Sequence, residues 1–144
     1  MSGGEWLGPR RAVESLAAAH GKAAVVAACV DLLRGREVAG ELIAGLGGPP
    51  ARWAVDGGTP GPDYWQRVWA LRGLLWLWDD AAAPAVVRAL HDDAWRVREM
   101  AAKVVARQAV GAAFGTAEKL RDDDVARVRQ AAARAVAALT VADA

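Results

Sequence analysis

DDAWRVREMAAKVVA, residues 92–106, returns 31 positions later as DDVARVRQAAARAVA, residues 123–137. Nine of the fifteen positions are identical: Asp92 and Asp123, Asp93 and Asp124, Arg96 and Arg127, Val97 and Val128, Arg98 and Arg129, Ala101 and Ala132, Ala102 and Ala133, Val105 and Val136, Ala106 and Ala137. An internal repeat of this length outranks other signals, because each copy is one supersecondary unit that buries its apolar face only against a neighbour. The apolar residues of each copy recur at helical spacing. Val97, Met100, Ala101, Val104 and Val105 share a face in the first copy, and Val128, Ala132, Ala135, Val136 and Leu139 share one in the second. A shorter segment precedes each, PAVVRAL from Pro84 and AAFGTAEKL from Ala112. Pro84 suits the start of a helix, where a missing N–H costs nothing. Short helix, acidic loop and long helix, twice over, predict an all-α chain.

Upstream lies DYWQRVWALRGLLWLW, residues 63–78, apolar on nearly every side. We expect one buried helix over the whole stretch, with Asp63 as its N-cap and Gln66 as the capping-box partner. At 100° per residue, Tyr64, Val68, Leu71, Leu75 and Trp78 form one face, and Trp65, Trp69, Arg72 and Trp76 another. A helix apolar on two sides needs neighbours on both, so it should be the middle rung of a helical stack.

The remaining N-terminal sequence predicts three modest helices, over 10–20, 22–33 and 37–44, ended by Gly21, Gly35 and the pair Gly47 and Gly48. Residues 1–9 read as a loose lead-in. Residues 45–62, rich in Gly and Pro around ARWAVD, read as a connection holding about one helical turn. The expected organisation is a lead-in (1–9), an N-terminal helical section with its connection (10–62) and the repeats (63–144), all in one compact domain.

At 144 residues the chain is long enough for a real core, and its Ala, Val and Leu content favours close-packed helices over a sheet. Eighteen Lys and Arg against 17 Asp and Glu give a net charge of +1, so no global field draws it to nucleic acid or to a membrane. There is one cysteine, Cys29, which excludes an internal disulfide and fits a reducing cytoplasm. No run of about 18 uncharged apolar residues is present for a membrane span, and MSGGEWLGPRR lacks the apolar core of a signal peptide. These features predict a soluble, cytoplasmic protein, and the heavy use of Ala, Arg, Gly and Val suggests a bacterial one.

The motif V-R-x-x-A-A after a loop of aspartates resembles the HEAT repeat, in particular the short HEAT-like repeat of the bilin lyase type. The matching residues are Val97-Arg98 with Ala101-Ala102 and Val128-Arg129 with Ala132-Ala133, after Asp92-Asp93 and Asp122 to Asp124. RVWALRGLLWLWDD resembles a diverged first copy, in which Arg72 and the tryptophans replace small residues. The resemblance implies an α-α superhelix, a short solenoid of antiparallel helix pairs, of the kind that relatives use chiefly to hold other macromolecules. It assigns Arg98 and Arg129 a structural task, pairing with loop aspartates between repeats. It does not bring lyase chemistry with it, since no residue beyond the repeat supports that activity.

Two surfaces are candidates for binding. Arg96 and Lys103 lie seven residues apart on one helical face, Arg127 and Arg134 hold the same register in the next copy, and Arg107 extends the row. Such a basic ladder suits an acidic protein or nucleic-acid phosphates, although Glu99, Glu118 and the loop aspartates could simply balance it as a solvated face. Trp65, Trp69 and Trp76 with Arg72 among them form either packed core or an aromatic recognition patch. Trp6, Trp53 and Trp95 fall near helix ends, and Trp95 is the expected aromatic anchor of the ladder. Catalysis is not expected. His20 and His91 are the only histidines, and no nucleophile motif, phosphate loop, calcium loop or metal-ligand spacing is present. No cofactor is expected. The acid pairs fit helix capping. The sequence thus predicts a non-catalytic adaptor or scaffold that binds another protein, with a nucleic-acid-binding module resembling the helical-repeat DNA glycosylases as the alternative.

Overall fold

In the computed structural model, which describes residues 5–142, the repeat is longer than its sequence identity. A 3-10 turn at Asp80–Ala82 leads into α6 (Ala83–Ala89) and then α7 (Trp95–Gln108). Thirty-one residues on, a 3-10 turn at Gly111–Ala113 leads into α8 (Phe114–Leu120) and then α9 (Ala126–Ala142). Buried residues follow the same period: Ala82 and Ala113, Val86 and Ala117, Val97 and Val128, Ala101 and Ala132, Val104 and Ala135. The first half of the unit keeps two of its buried positions while its sequence drifts, Val86 and Ala117 meeting the same apolar demand at different sizes, whereas Ala85, Ala89 and Leu90 are buried and their counterparts Thr116, Leu120 and Arg121 are not. All the described residues lie in helices, turns and loops, with no strand among them, so the chain is all-α.

The chain divides into two compact units between Leu77 and Trp78. In the second, α7 packs along α9, α6 against α7 and α8 against α9. The N-terminal ends of α7 and α9 are tied together by side chains, since Arg98 reaches Asp123 and Arg127 reaches Glu99. Small residues at the contact (Ala101, Ala102, Ala131, Ala132, Ala135) let the two helices approach closely.

In the first unit, α1 (Pro9–His20), α2 (Lys22–Leu33), α3 (Gly40–Gly47), the short α4 (Trp53–Asp56) and α5 (Tyr64–Leu74) enclose a core of Val13, Val25, Cys29, Leu32, Ile43, Leu46, Val68, Leu71 and Leu74. The path turns by 119° between α1 and α2 at Gly21, whose φ of 91° suits glycine. No single described helix is long and apolar enough to cross a membrane. Helix α2 ends in a Schellman motif: Arg36 N–H donates to Asp31 O at 2.8 Å and Gly35 N–H to Leu32 O at 3.1 Å, with Gly35 at φ 72°. Gly73 is the meeting point of the core. A Cβ built there would lie 2.9 Å from Leu46 Cδ2, 3.5 Å from Val13 Cγ2 and 3.6 Å from Cys29 Sγ, atoms of three other helices. Burial pushes the Cys29 thiol up to about 12, so it is a packing residue without thiolate character.

Several boundaries differ from expectation. The helix expected over 63–78 is α5, which stops at Leu74; Trp76 to Trp78 lie beyond it in a turn, closed by Trp76 and Leu77 N–H on Gly73 O. Gly73 weakens the last turn, and Asp79, extended and accepting from Ala81 N–H, starts the next element. Leu75 consequently sits at the helix end and is only partly buried. Asp63 makes no capping hydrogen bond; its carboxylate faces Arg67 one turn on, at 3.6 Å. Helix α3 runs three residues later than the expected 37–44, since α2's glycine cap and the Arg36–Asp31 pair hold the chain out of helix until Ala39. Of the lead-in, residues 1–4 lie outside the described residues, and Trp6 is held against the first unit rather than loose.

Candidate functional site

Two clusters gather the side chains singled out in the sequence. The first is at the N-terminal ends of α7 and α9. Asp92 and Asp123 each turn the chain into the long helix by accepting the N–H two residues on, Ala94 and Val125, both at 2.9 Å. Arg98 then donates Nη1 to the carbonyls of Asp92 and Asp93, at 2.8 and 3.1 Å, and grips Asp123 with Nε and Nη2, at 2.9 and 3.2 Å. Arg129 repeats the first of these bonds on its own loop, Nη1 to Asp123 O at 2.7 Å, but it is exposed and has no carboxylate in its fork among the described residues. Burial works against the ionised form of Asp123. Hydrogen bonds from Arg98 and the Val125 N–H, with the charges of Arg98 and Arg129, outweigh it and hold the carboxyl below its ordinary value. Asp93 and Asp124 are exposed.

Two cations of the ladder converge on an acid. Glu99, only 8% exposed, accepts from Arg127 Nε at 2.9 Å and faces Lys103 Nζ at 3.7 Å. Trp95, half-buried at the first turn of α7, has the guanidiniums of both Arg96 and Arg127 over its ring, at 4.4 and 5.2 Å from the centroid. Arg96, Lys103 and Arg127 therefore belong to one cluster around Trp95 and Glu99, with Arg107 and Arg134 exposed farther along α7 and α9. The balancing role of Glu99 was foreseeable from its register, one turn before Lys103. Its burial was not, since a lone glutamate on a polar helix face carries no sequence mark of its partner on another helix.

The second cluster lies in the first unit. Trp65, Trp69 and Arg72 of α5 line a cavity of about 270 Å3 together with Trp6, Trp53 and Gln66. Two adjacent glycines position its walls. A Cβ on Gly47 would lie 2.7 Å from the Trp69 ring, and Gly48, at φ 72°, presents bare backbone to the Trp6 ring. Their closeness to the indoles brings main-chain carbonyls within reach of Arg72, whose Nη2 donates to Leu46 O at 2.9 Å and lies 3.5 Å from Gly47 O. The Arg72 guanidinium also stands over Trp6, 5.4 Å from the centroid. No carboxylate neutralises it among the described residues, its Nε is buried without an acceptor, and desolvation lowers its pKa from the ordinary value. Trp76 is apart from this group, beneath the guanidinium of Arg10 at 5.2 Å. Trp6 and Trp53 are the residues of this cavity that helical periodicity could not supply, since neither shares an element with α5. The adjacent glycines at 47 and 48 end α3 and also serve as seats for indoles.

Among the described residues, no group of three or more His, Cys, Asp and Glu side chains is placed to hold a metal ion. Compared with models of known families, with curated proteins and with solved structures, the chain matches none.

Proposed function

We propose that this chain is a small HEAT-like repeat protein, a short α-solenoid that works by holding another protein rather than by catalysis. Its partner on this reading is an acidic segment that meets Trp95 and the cations around it. The observation that carries the reading is the part-exposed Trp95 ring under two guanidiniums, with Arg127 fixed in place by Glu99. An aromatic side chain with arginines already oriented around it contributes contact area and charge at little further ordering cost, which is the character of an interface anchor.

The HEAT-like assignment draws support from the 31-residue period of turns, helices and buried positions, and from the Arg98–Asp123 pair that links one copy to the next. A protein partner is favoured over nucleic acid because the net charge is only +1 and Glu99 offsets two of the cations that phosphates would need. The compartment that fits is the reducing cytoplasm, with the one cysteine buried and unpaired.

Quantitative co-purification from the cells that make the protein tests this function. The parent should retain a protein that Trp95→Ala and Arg134→Glu both lose, with melting temperature nearly unchanged for Arg134→Glu. A duplex or single-stranded DNA affinity in the micromolar range that weakens steeply with salt would replace the protein partner with nucleic acid.

A further inference from the structure

The cavity under α5 has no part in the docking surface proposed above, and its chemistry is unlike that of a simple core void. Voids left by imperfect packing are lined by aliphatic groups and stay uncharged. Here a guanidinium stands over the Trp6 ring in a cavity lined by three more indoles, and it meets no carboxylate among the described residues. Its hydrogen bonds account for only part of its capacity: Nη2 is engaged by Leu46 O and Gly47 O, Nε is buried without an acceptor, and Nη1 has no acceptor among the described residues. Two carbonyl dipoles and one indole face offset a fraction of a full positive charge partly withdrawn from water. The rest is left for an anion.

The size and walls of the cavity define what else the anion must carry. About 270 Å3 is just under the usual range of roughly 300–1,000 Å3 for small-molecule sites, so the body of the ligand is of single-ring size. Trp6, Trp53, Trp65 and Trp69 offer flat apolar faces, and Gln66 is the one uncharged side chain beside them able to both donate and accept a hydrogen bond. Gly47 and Gly48 keep the walls where they are, since any side chain at either position would collide with an indole.

We propose that this cavity binds a small organic acid with an aromatic or compact apolar body, its carboxylate on Nη1 of Arg72 and its body against the indoles. The acid completes the charge that the fold leaves unbalanced, and the indoles select for an apolar body over a plain inorganic anion.

Three probes test it: benzoate, phenylacetate and 3-phenylpropanoate, each titrated calorimetrically beside its neutral amide. At least one acid should bind saturably with one-to-one stoichiometry and roughly tenfold or more tightly than its amide, the margin of one charge-assisted hydrogen bond. In the nitrogen–proton spectrum, the indole N–H signals of Trp6, Trp53, Trp65 and Trp69 should move with the titration while that of Trp95 stays. Arg72→Met should bring acid and amide to within about threefold of each other, the preference being lost with its charge. Because Arg72→Met also removes the bonds to α3, Trp53→Ala is the second variant: it leaves Arg72 in place and should weaken acid and amide together. Absence of saturable binding by all three acids at up to about 10 mM, a Kd worth less than roughly 3 kcal/mol, would overturn the proposal. So would equal affinity for acid and amide, or shifts centred on Trp95.

Discussion

Arg98 on α7 holds Asp123, 25 positions away in the loop before α9, by two parallel bonds of 2.9 and 3.2 Å, with the Asp123 side chain only 7% exposed. Its counterpart Arg129 makes one bond to a loop carbonyl and stays in solvent. Identical residues in identical registers thus have unequal weight. Arg98→Ala strands a nearly buried carboxylate and should cost about 3 kcal/mol, as breaking a buried pair does. Arg129→Ala should cost about 1 kcal/mol, the worth of an ordinary hydrogen bond. Urea unfolding of the two variants checks the order, and equal losses would contradict it.

The same pair makes stability depend on pH. A carboxyl whose folded pKa is depressed contributes stability that is fully present above its unfolded value, about 4, and is lost as pH falls through the folded one. Asp123 is such a group. The stability gap between the parent and Asp123→Asn should therefore be constant from pH 7 to about 5 and shrink below about 4. A gap that widened on acidification would reverse the sign and refute the assignment.

Helix α5 offers a contrast between neighbouring leucines. Leu71 is fully buried at 0% exposure, whereas Leu75 caps the helix end and is partly open. Leu71→Ala should cost about 2–5 kcal/mol. Leu75→Ala, although helical periodicity puts it on the same face, should cost less than half as much, since part of its surface is never withdrawn from water. Thermal melts of the pair decide between the observed helix end and the longer helix that periodicity suggests.

Ala109, which closes α7, is the only described non-glycine residue at positive φ, with φ 52° and ψ 53°. The left-handed conformation costs an alanine roughly 1–2 kcal/mol. Glycine relieves that strain but loses about 0.4–1 kcal/mol through its freer unfolded chain. Ala109→Gly should therefore stabilise by about 0.5 kcal/mol, against the general trend for Ala→Gly in helical proteins. A lower denaturation midpoint for this variant would contradict the backbone geometry.

The second unit was legible because identical residues at a fixed spacing report a shared environment directly: Val97 and Val128, and Ala101 and Ala132, are buried in both copies, although Ala102 is buried and its counterpart Ala133 exposed. Of the acid pairs expected to cap helices, Asp79 does so, while Asp92 and Asp123 instead accept the N–H of the residue that precedes each long helix, Ala94 or Val125, in the turn that leads into it. The end of α5 was not, because Leu75, Trp76, Leu77 and Trp78 continue the apolar run past the point where the chain turns. Periodicity also placed Trp76 with Trp65 and Trp69, and the early end of the helix separates it from them. The two other indoles of the cavity come from outside α5: Trp6, which packs on Gly48, and Trp53 of α4, which lies beside Gly58. At the Trp95 cluster the sequence supplied the cations, while the burial of Glu99 between Lys103 and Arg127 depends on how α7 meets α9.

The claim that this chain holds a protein through the Trp95 cluster is tested most directly by a photo-crosslinking benzoylphenylalanine put in place of Gln130, an exposed residue one turn along α9 from Arg127. Irradiated in the cells that make the protein, it should give one discrete protein adduct, and adding Trp95→Ala should abolish that adduct while the melting temperature stays within a few degrees; the probe leaves every cation of the cluster in place. No adduct, an adduct that survives Trp95→Ala, or a nuclease-sensitive one would contradict the account.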